Sequence, residues 1–246
     1  MYKTITEAIE LANGLKREFY KLDSQAIDIV VCPPYTALSE VSEVIADTII
    51  QLGAQDVYWE EEGAFTGEVS CKMLKDAGCG FVITGHSERR QYFGETNESV
   101  NKKTKAALAH GLIPIVCVGE TLSEREKGST FKVLDDHIKN GLKGISEQDI
   151  LKTVIAYEPV WAIGTGKTAT PSQAQEAQKY IRDLLKNEYN KEVADNVRIQ
   201  YGGSVKPQNI VELMQQPDVD GALVGGASLE VSSFAEIVKK ACEVAK

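Results

Sequence analysis

The sequence has no apolar run of the roughly 18 residues that mark a membrane-spanning helix. Its first residues, MYKTITEAIELANGLKREF, are amphipathic rather than a basic stretch followed by an apolar one. Neither a membrane span nor a signal peptide is expected. Positive charge is scarce too: 27 Lys and Arg against 36 Asp and Glu leave a net charge of −9. That balance repels nucleic acid and anionic membranes at long range, so neither is expected as a partner. A small anionic substrate held by local groups remains compatible with it. The five cysteines, Cys32, Cys71, Cys79, Cys117 and Cys242, form no CxxC pair and show no metal-ligand spacing. An odd count in a chain of this size is unlike a disulfide framework, which points to a reducing, cytoplasmic compartment and to no metal site. No Pro/Ser-rich linker or composition break divides the 246 residues, so residues 1–246 are expected to form a single α/β domain.

What is present is a series of short apolar, β-branched runs: AIDIVVC, TIIQLGA, GFVITG, LIPIVCVG, TVIAYEP, VRIQYG and GALVGG. Each is too short for a helix and too continuously apolar for a half-exposed strand, the signature of parallel strands covered on both faces. Between them lie charged segments of 3.6-residue periodicity, such as ESVNKKTKAALAHG and SQAQEAQKYIRDLLKNEY, several opened by Ser, Thr or Asn caps. The reading is about seven strands among eight helical segments, beginning with a helix over Thr4 to Tyr20. A parallel barrel closes without edges when it has eight strands, so seven imply an open sheet or a narrower barrel.

In such folds, sites form beyond the carboxyl ends of strands. His86 follows GFVITG at the start of a probable helix, with Ser87 and Glu88 after it. One reading is a buried structural histidine. The other follows from the helix N-terminus, whose partial positive charge keeps an imidazole neutral and able to donate a hydrogen bond to a polarised oxygen. His110 and His137 have no comparable setting. Glu158 ends an apolar strand, where burial raises a carboxyl pKa and strengthens it as a base, the alternative being a carboxylate paired at the rim. The following PVWAIGTGKTATPSQ has the small residues of a closing loop, with a helix capped by Thr170 or Ser172 after it. Its GTGKT is not a phosphate-binding P-loop, because Trp161 stands where that motif requires glycine. The pairs Gly202-Gly203 and Gly225-Gly226 at the last two strand ends let backbone N–H groups approach an anion, and phosphate is the natural occupant.

The stretches CPPYTAL, GAQDVYWEEEGAFTGEVS, GHSERRQYFGET, PIVCVGETLSERE, AYEPVWAIGTGKTAT, YGGSVKPQN and LVGGASL, in this order, closely resemble the triosephosphate isomerase family over essentially the whole chain. The resemblance implies a (β/α)8 barrel that interconverts dihydroxyacetone phosphate and glyceraldehyde 3-phosphate through an enediolate, without metal or organic cofactor. By the same resemblance Glu158 matches the base, His86 the neutral electrophile and Glu88 a supporting carboxylate. Gly164, Ser204, Gly225 and Gly226 match phosphate contacts, and Cys117 a cysteine beside the base. A homodimer is implied, its interface carried by the loop that exposes Tyr58, Trp59 and Phe65, with Thr66 helping to order the neighbouring subunit's site. Asp56 stands where asparagine is usual in the family, so the hydrogen bonding of that loop is expected to differ while its docking role remains.

Family members begin with a strand that ends in an Asn-x-Lys-Met pattern, and Met1 matches the last residue of that pattern. The expectation is that the first strand, the substrate-binding asparagine and the catalytic lysine are missing from this sequence, and that Lys3 and Lys16 do not replace the lysine. An isomerase whose sequence begins late is the favoured reading. The alternatives are a truncated, catalytically impaired phosphate-binding barrel and, on fold alone, a phosphate-binding barrel lyase or synthase.

Overall fold

The computed structural model describes residues 1–22, 27–163 and 168–245. The first helix, Ile5–Phe19, starts where Thr4 and Glu7 form a capping box: the Thr4 hydroxyl accepts from the Glu7 N–H, and the Glu7 carboxylate accepts from the Thr4 N–H. The next element is β1 (Ile29–Val31), followed by β2 (Ile50–Ala54), β3 (Phe81–Thr84), β4 (Ile113–Val118), β5 (Val154–Tyr157), β6 (Arg198–Tyr201) and β7 (Gly221–Ala222). Every neighbouring pair is parallel and in chain order, with helices between, which is the strand order of a (β/α) barrel. The sheet curls until Arg198, at the start of β6, pairs with Asp28, just before β1, at 2.5 Å. Among the described residues β1 and β7 are each paired on one side only.

The alternation of strand side chains sorts the core into layers. Phe81, Ile83, Ile115, Cys117, Val154 and Ala156 pack together on the inner face of the sheet. The register Ile83–Ile115 and Ile115–Val154 sets three of them side by side. The intervening residues, such as Val116, Ile155 and Tyr157, pack outward with Leu134, Ile138, Ile181 and Leu185 of the helices. Ile181 and Leu185 are fully buried, and truncating either to alanine costs on the order of 2–5 kcal/mol.

The seven strands lie where the apolar runs place them, with one shortening. β7 covers only Gly221–Ala222, because one further bond, Leu223 N–H to the Tyr201 carbonyl, ends the ladder before a 3-10 turn at Gly226–Leu229. The helical segments are more divided than the periodicity suggests, with twelve α-helices among the described residues. The segment after β3 shows why: Gly94, at φ 67°, stops the helix Ser87–Phe93, and Thr96 caps a new one at Asn97–Ala109. No helix among the described residues is long and apolar enough to cross a membrane.

Candidate active site

The inward alternation of β5, Val154 then Ala156, continues one step past the strand to Glu158, whose N–H still bonds the Val118 carbonyl of β4. The side chain therefore points into the mouth of the curled sheet, although it is only 2% exposed. Room for it comes from two glycines. A Cβ on Gly119 would collide with the Glu158 carbonyl, and one on Gly202 would lie 2.9 Å from Glu158 Cγ.

His86 reaches the same place from β3. Gly85, at φ 72°, turns the chain in the left-handed region, and His86 then caps the helix Ser87–Phe93. Its Nδ1 accepts from the Glu88 N–H at 3.3 Å, so the fitting tautomer carries its proton on Nε2, which lies 3.0 Å from Glu158 Oε1. The other Glu158 oxygen accepts from the Ser87 N–H at 2.9 Å, and the Ser87 hydroxyl stands 3.2 Å from Oε1. Burial pushes the Glu158 carboxyl above its ordinary range, opposed by His86, by the Ser87 N–H and by Cys117. The Cys117 thiol is itself held far above its ordinary value by burial and by the adjacent carboxylate, so it stays protonated and packs. The site thus holds a buried carboxylate with raised proton affinity against a histidine N–H donor, the equipment for moving a proton on and off carbon beside a polarised carbonyl.

The sequence-predicted residues are placed unevenly around this pair. Glu88 is mostly exposed, with Oε2 3.8 Å from His86 Nδ1; its backbone N–H makes the closer contact. Ser204 follows β6 and is anchored by Asn209, whose side-chain N–H donates to its carbonyl at 2.9 Å. Gly225 and Gly226 are exposed, and nothing lies within 4 Å of where a Cβ would sit on either, so their backbone faces open space. Gly202 and Gly203 behave differently, because a Cβ on Gly203 would strike the Tyr201 hydroxyl; these two accommodate protein side chains rather than an anion. Gly164 lies outside the described residues. His86, Glu88, Glu158, Ser204, Gly225 and Gly226 all line one cavity of about 2180 Å³ that also runs between the free edges of β1 and β7. Among the described residues no cluster of three His, Cys, Asp or Glu side chains could hold a metal ion.

Two lysines and two histidines set aside at the sequence level stay away from the pair. Lys16 binds Asp47 at 2.5 Å on the outer helices, and Lys3 precedes the first helix. His110 caps the end of Asn97–Ala109. His137 is more engaged than expected: its Nδ1 accepts from the Gly119 N–H at 3.3 Å, and burial lowers its pKa to about 4. The aromatic loop also differs in detail. Phe65 is 40% exposed, but Tyr58 and Trp59 are half-buried, with their ring centroids 4.2 Å apart and Lys102 5.3 Å above the Trp59 ring. Thr66 is exposed.

Sequence reasoning missed three supports. Ser87 holds the Glu158 carboxylate, and the only hint was its place directly after His86. Glu120, fully buried, accepts from the Tyr157 hydroxyl and from the Trp161 indole at 3.0 Å, with Arg125 at 3.0 Å. It anchors the start of the segment after Glu158, and its signal was an acidic residue at a strand end in CVGE. The third is a buried cluster of Asp56, Glu95, Lys103 and Arg89, whose members lie too far apart in sequence to be read as a group.

A family model described as triosephosphate isomerase matches residues 1–241. Curated relatives of that name include one from Thermoanaerobacter sp. (strain X514), 58% identical over 97% of this chain and 95% of its own length. Another, from Citrifermentans bemidjiense (strain ATCC BAA-1014 / DSM 16622 / JCM 12645 / Bem), is 57% identical over 97% and 94%. A third, from Geobacter metallireducens (strain ATCC 53774 / DSM 7210 / GS-15), is 60% identical over 86% and 84%.

Proposed function

The chain belongs to the triosephosphate isomerase family, and from that premise we propose how its residues interconvert dihydroxyacetone phosphate and glyceraldehyde 3-phosphate. The observation that carries the assignment is the Glu158–His86 pair, Oε1 to Nε2 at 3.0 Å, with the carboxylate buried and its pKa raised. Glu158 takes a proton from C1 of dihydroxyacetone phosphate while the Nε2–H of His86 bonds the carbonyl oxygen, giving an enediolate. His86 gives its Nε2 proton to O2 and takes the O1 hydroxyl proton in its place, and Glu158 returns its proton to C2, leaving the aldehyde at C1. In triosephosphate isomerases a glutamate base and a neutral histidine are the established division of this work. The Nδ1 contact with the Glu88 N–H fits the His86 tautomer that carries its proton on Nε2, toward Glu158.

Ser204, Gly225 and Gly226 take the phosphate at the ends of β6 and β7, where nothing lies within 4 Å of a Cβ on either glycine; Gly164, the fourth phosphate residue of the resemblance, lies outside the described residues. Phe65 is 40% exposed on the aromatic loop and stacks against Tyr58, an apolar contact suited to a second copy of the chain. The functional unit in this reading is a cytoplasmic homodimer of single (β/α) domains, with Tyr58, Trp59 and Phe65 at the interface and Thr66 beside the neighbour's site.

The test is a coupled assay of glyceraldehyde 3-phosphate isomerisation with purified protein and a Glu158→Ala variant as background. Turnover well above that background supports the reading. Turnover equal to it overturns isomerisation as the activity of this chain and leaves the catalytically impaired phosphate-binding barrel.

A further inference from the structure

The buried charge cluster lies beneath the turn that carries His86. Lys103, from the helix Asn97–Ala109, is only 5% exposed. Its ammonium donates to Asp56 Oδ1 at 2.7 Å and stands 2.6 Å from Glu95 Oε1. Asp56 Oδ2 lies 2.8 Å from Arg89 Nε, an ion-pair contact whose angle falls outside hydrogen-bond geometry. The remaining Glu95 oxygen accepts from the Gly85 N–H at 3.2 Å. On the other face of the same residue, Arg90 Nε donates to the Gly85 carbonyl at 2.8 Å. The left-handed turn at Gly85 is thus clamped at both its N–H and its carbonyl, and the next residue is His86.

Two carboxylates and two cations balance in this cluster. Such an arrangement is costly to desolvate and is sensitive to the loss of any one side chain, because the remaining partner is left unpaired in a region of low dielectric. Asp56 is the member contributed by the segment that opens the aromatic loop. It touches Lys103, which holds Glu95, and it touches Arg89, one turn along the helix that His86 caps.

We infer that Asp56 is a positioning residue for His86, acting through Lys103 and Glu95 on the Gly85 turn and through Arg89 on the helix behind it. The proposal rests on the reading of His86 as the electrophile, and it extends that site into the base of the loop that carries Tyr58, Trp59 and Phe65. Removing the side-chain oxygens at position 56 leaves Lys103 held by Glu95 alone; Glu95 shifts toward it, and the Gly85 N–H and the imidazole after it shift in turn.

The experiment uses the full chain labelled with ¹⁵N-histidine, which contains only three histidines. It compares wild type, Asp56→Ala, Asp56→Asn, Glu95→Gln and the double variant Asp56→Ala/Glu95→Gln at a protein concentration where sedimentation shows the same assembly for all. Asp56→Asn, which brings in the family's usual residue and keeps an acceptor for Lys103, is expected to leave all the ring signals close to wild type, whereas Asp56→Ala moves those of His86 and leaves those of His110 and His137 in place. Asp56→Ala also lowers kcat about fivefold to tenfold with KM within about twofold, the scale of a displacement well under 1 Å. Glu95→Gln, an isosteric change further along the same relay, moves the same signals, and the double variant moves them no further than the larger single one. Unmoved His86 signals, additive shifts, or a loss confined to KM each overturn the proposal. His86→Gln separates it from the underlying reading: normal turnover there refutes the role of His86, while the His86 ring signals of the variants that keep the histidine still read the relay.

Discussion

Shortening Glu158 to aspartate tests the proton-transfer geometry directly. The carboxylate now rests 2.9 Å from the Ser87 N–H and 3.0 Å from His86 Nε2. Removing one methylene withdraws it by about 1.5 Å, one C–C bond, which opens those contacts to roughly 4.4 Å, beyond hydrogen-bond reach. The same withdrawal takes the base out of the approximately 2.6–3.2 Å window in which it can abstract a proton from bound substrate. A misplacement of about 1 Å costs on the order of a hundredfold, so kcat should fall about a hundredfold or more, at least 2.7 kcal/mol of transition-state stabilisation. Charge and burial are retained, so KM should stay within about threefold. The assay is steady-state isomerisation in both directions with coupling enzymes, and inhibition by a phosphorylated enediolate analogue reports whether the site still assembles. A Glu158→Asp variant with kcat within tenfold of wild type would refute the reasoning, because the carboxylate position would not then govern the chemical step.

Glu158→Gln should melt at a higher temperature than wild type near neutral pH. Burial raises the folded carboxyl above 4.5, so between 4.5 and the folded value the native state binds more protons than the unfolded chain, and stability falls as pH rises through that window; the advantage of glutamine should therefore fade below about pH 4.5 in calorimetry, and its absence at neutral pH would count against a buried, uncompensated base. His137 has the opposite sign: its pKa falls from 6.5 to about 4 on folding, so its contribution, up to roughly 3 kcal/mol, is lost as pH drops through that interval. His137→Gln, which keeps an acceptor for the Gly119 N–H, should flatten that part of the pH–stability curve, whereas His137→Leu should cost about 1–3 kcal/mol at neutral pH by orphaning the N–H; equal behaviour of the two variants in urea unfolding would contradict the contact. Glu120→Gln should cost about 1.5–3 kcal/mol, since its charge holds Arg125 and the Trp161 indole in a buried setting, and it should shift Trp161 fluorescence; an unchanged urea midpoint would show that the anchor is dispensable.

Much of the site was legible because it lies where local pattern meets topology. Glu158 ends an apolar run and His86 opens a helix, and in a parallel α/β sheet both positions face the same mouth. The two glycine pairs read alike in sequence but differ in the fold: Gly225 and Gly226 open onto space, while Gly202 and Gly203 make room for Glu158 and Tyr201, a difference that no composition can express. The aromatic loop was legible as an interface candidate from its residue types, but not the stacking of Tyr58 on Trp59 under Lys102.

Short, continuously apolar β-branched runs, 3.6-residue amphipathic segments and side-chain caps such as Thr4, Thr96 and Thr170 determine the strands and helices of this chain by themselves, since each acts within a few residues. The joint order of its strand-end motifs likewise identifies the family. Only the tertiary structure decides which charges meet. Asp56 and Lys103 are 47 positions apart, Ser87 and Glu158 are 71 apart, and their partnership depends on the curl of the sheet and on the register of strands that bring those ends together. Burial is decided at the same level, and burial turns an ordinary glutamate into a base with raised proton affinity.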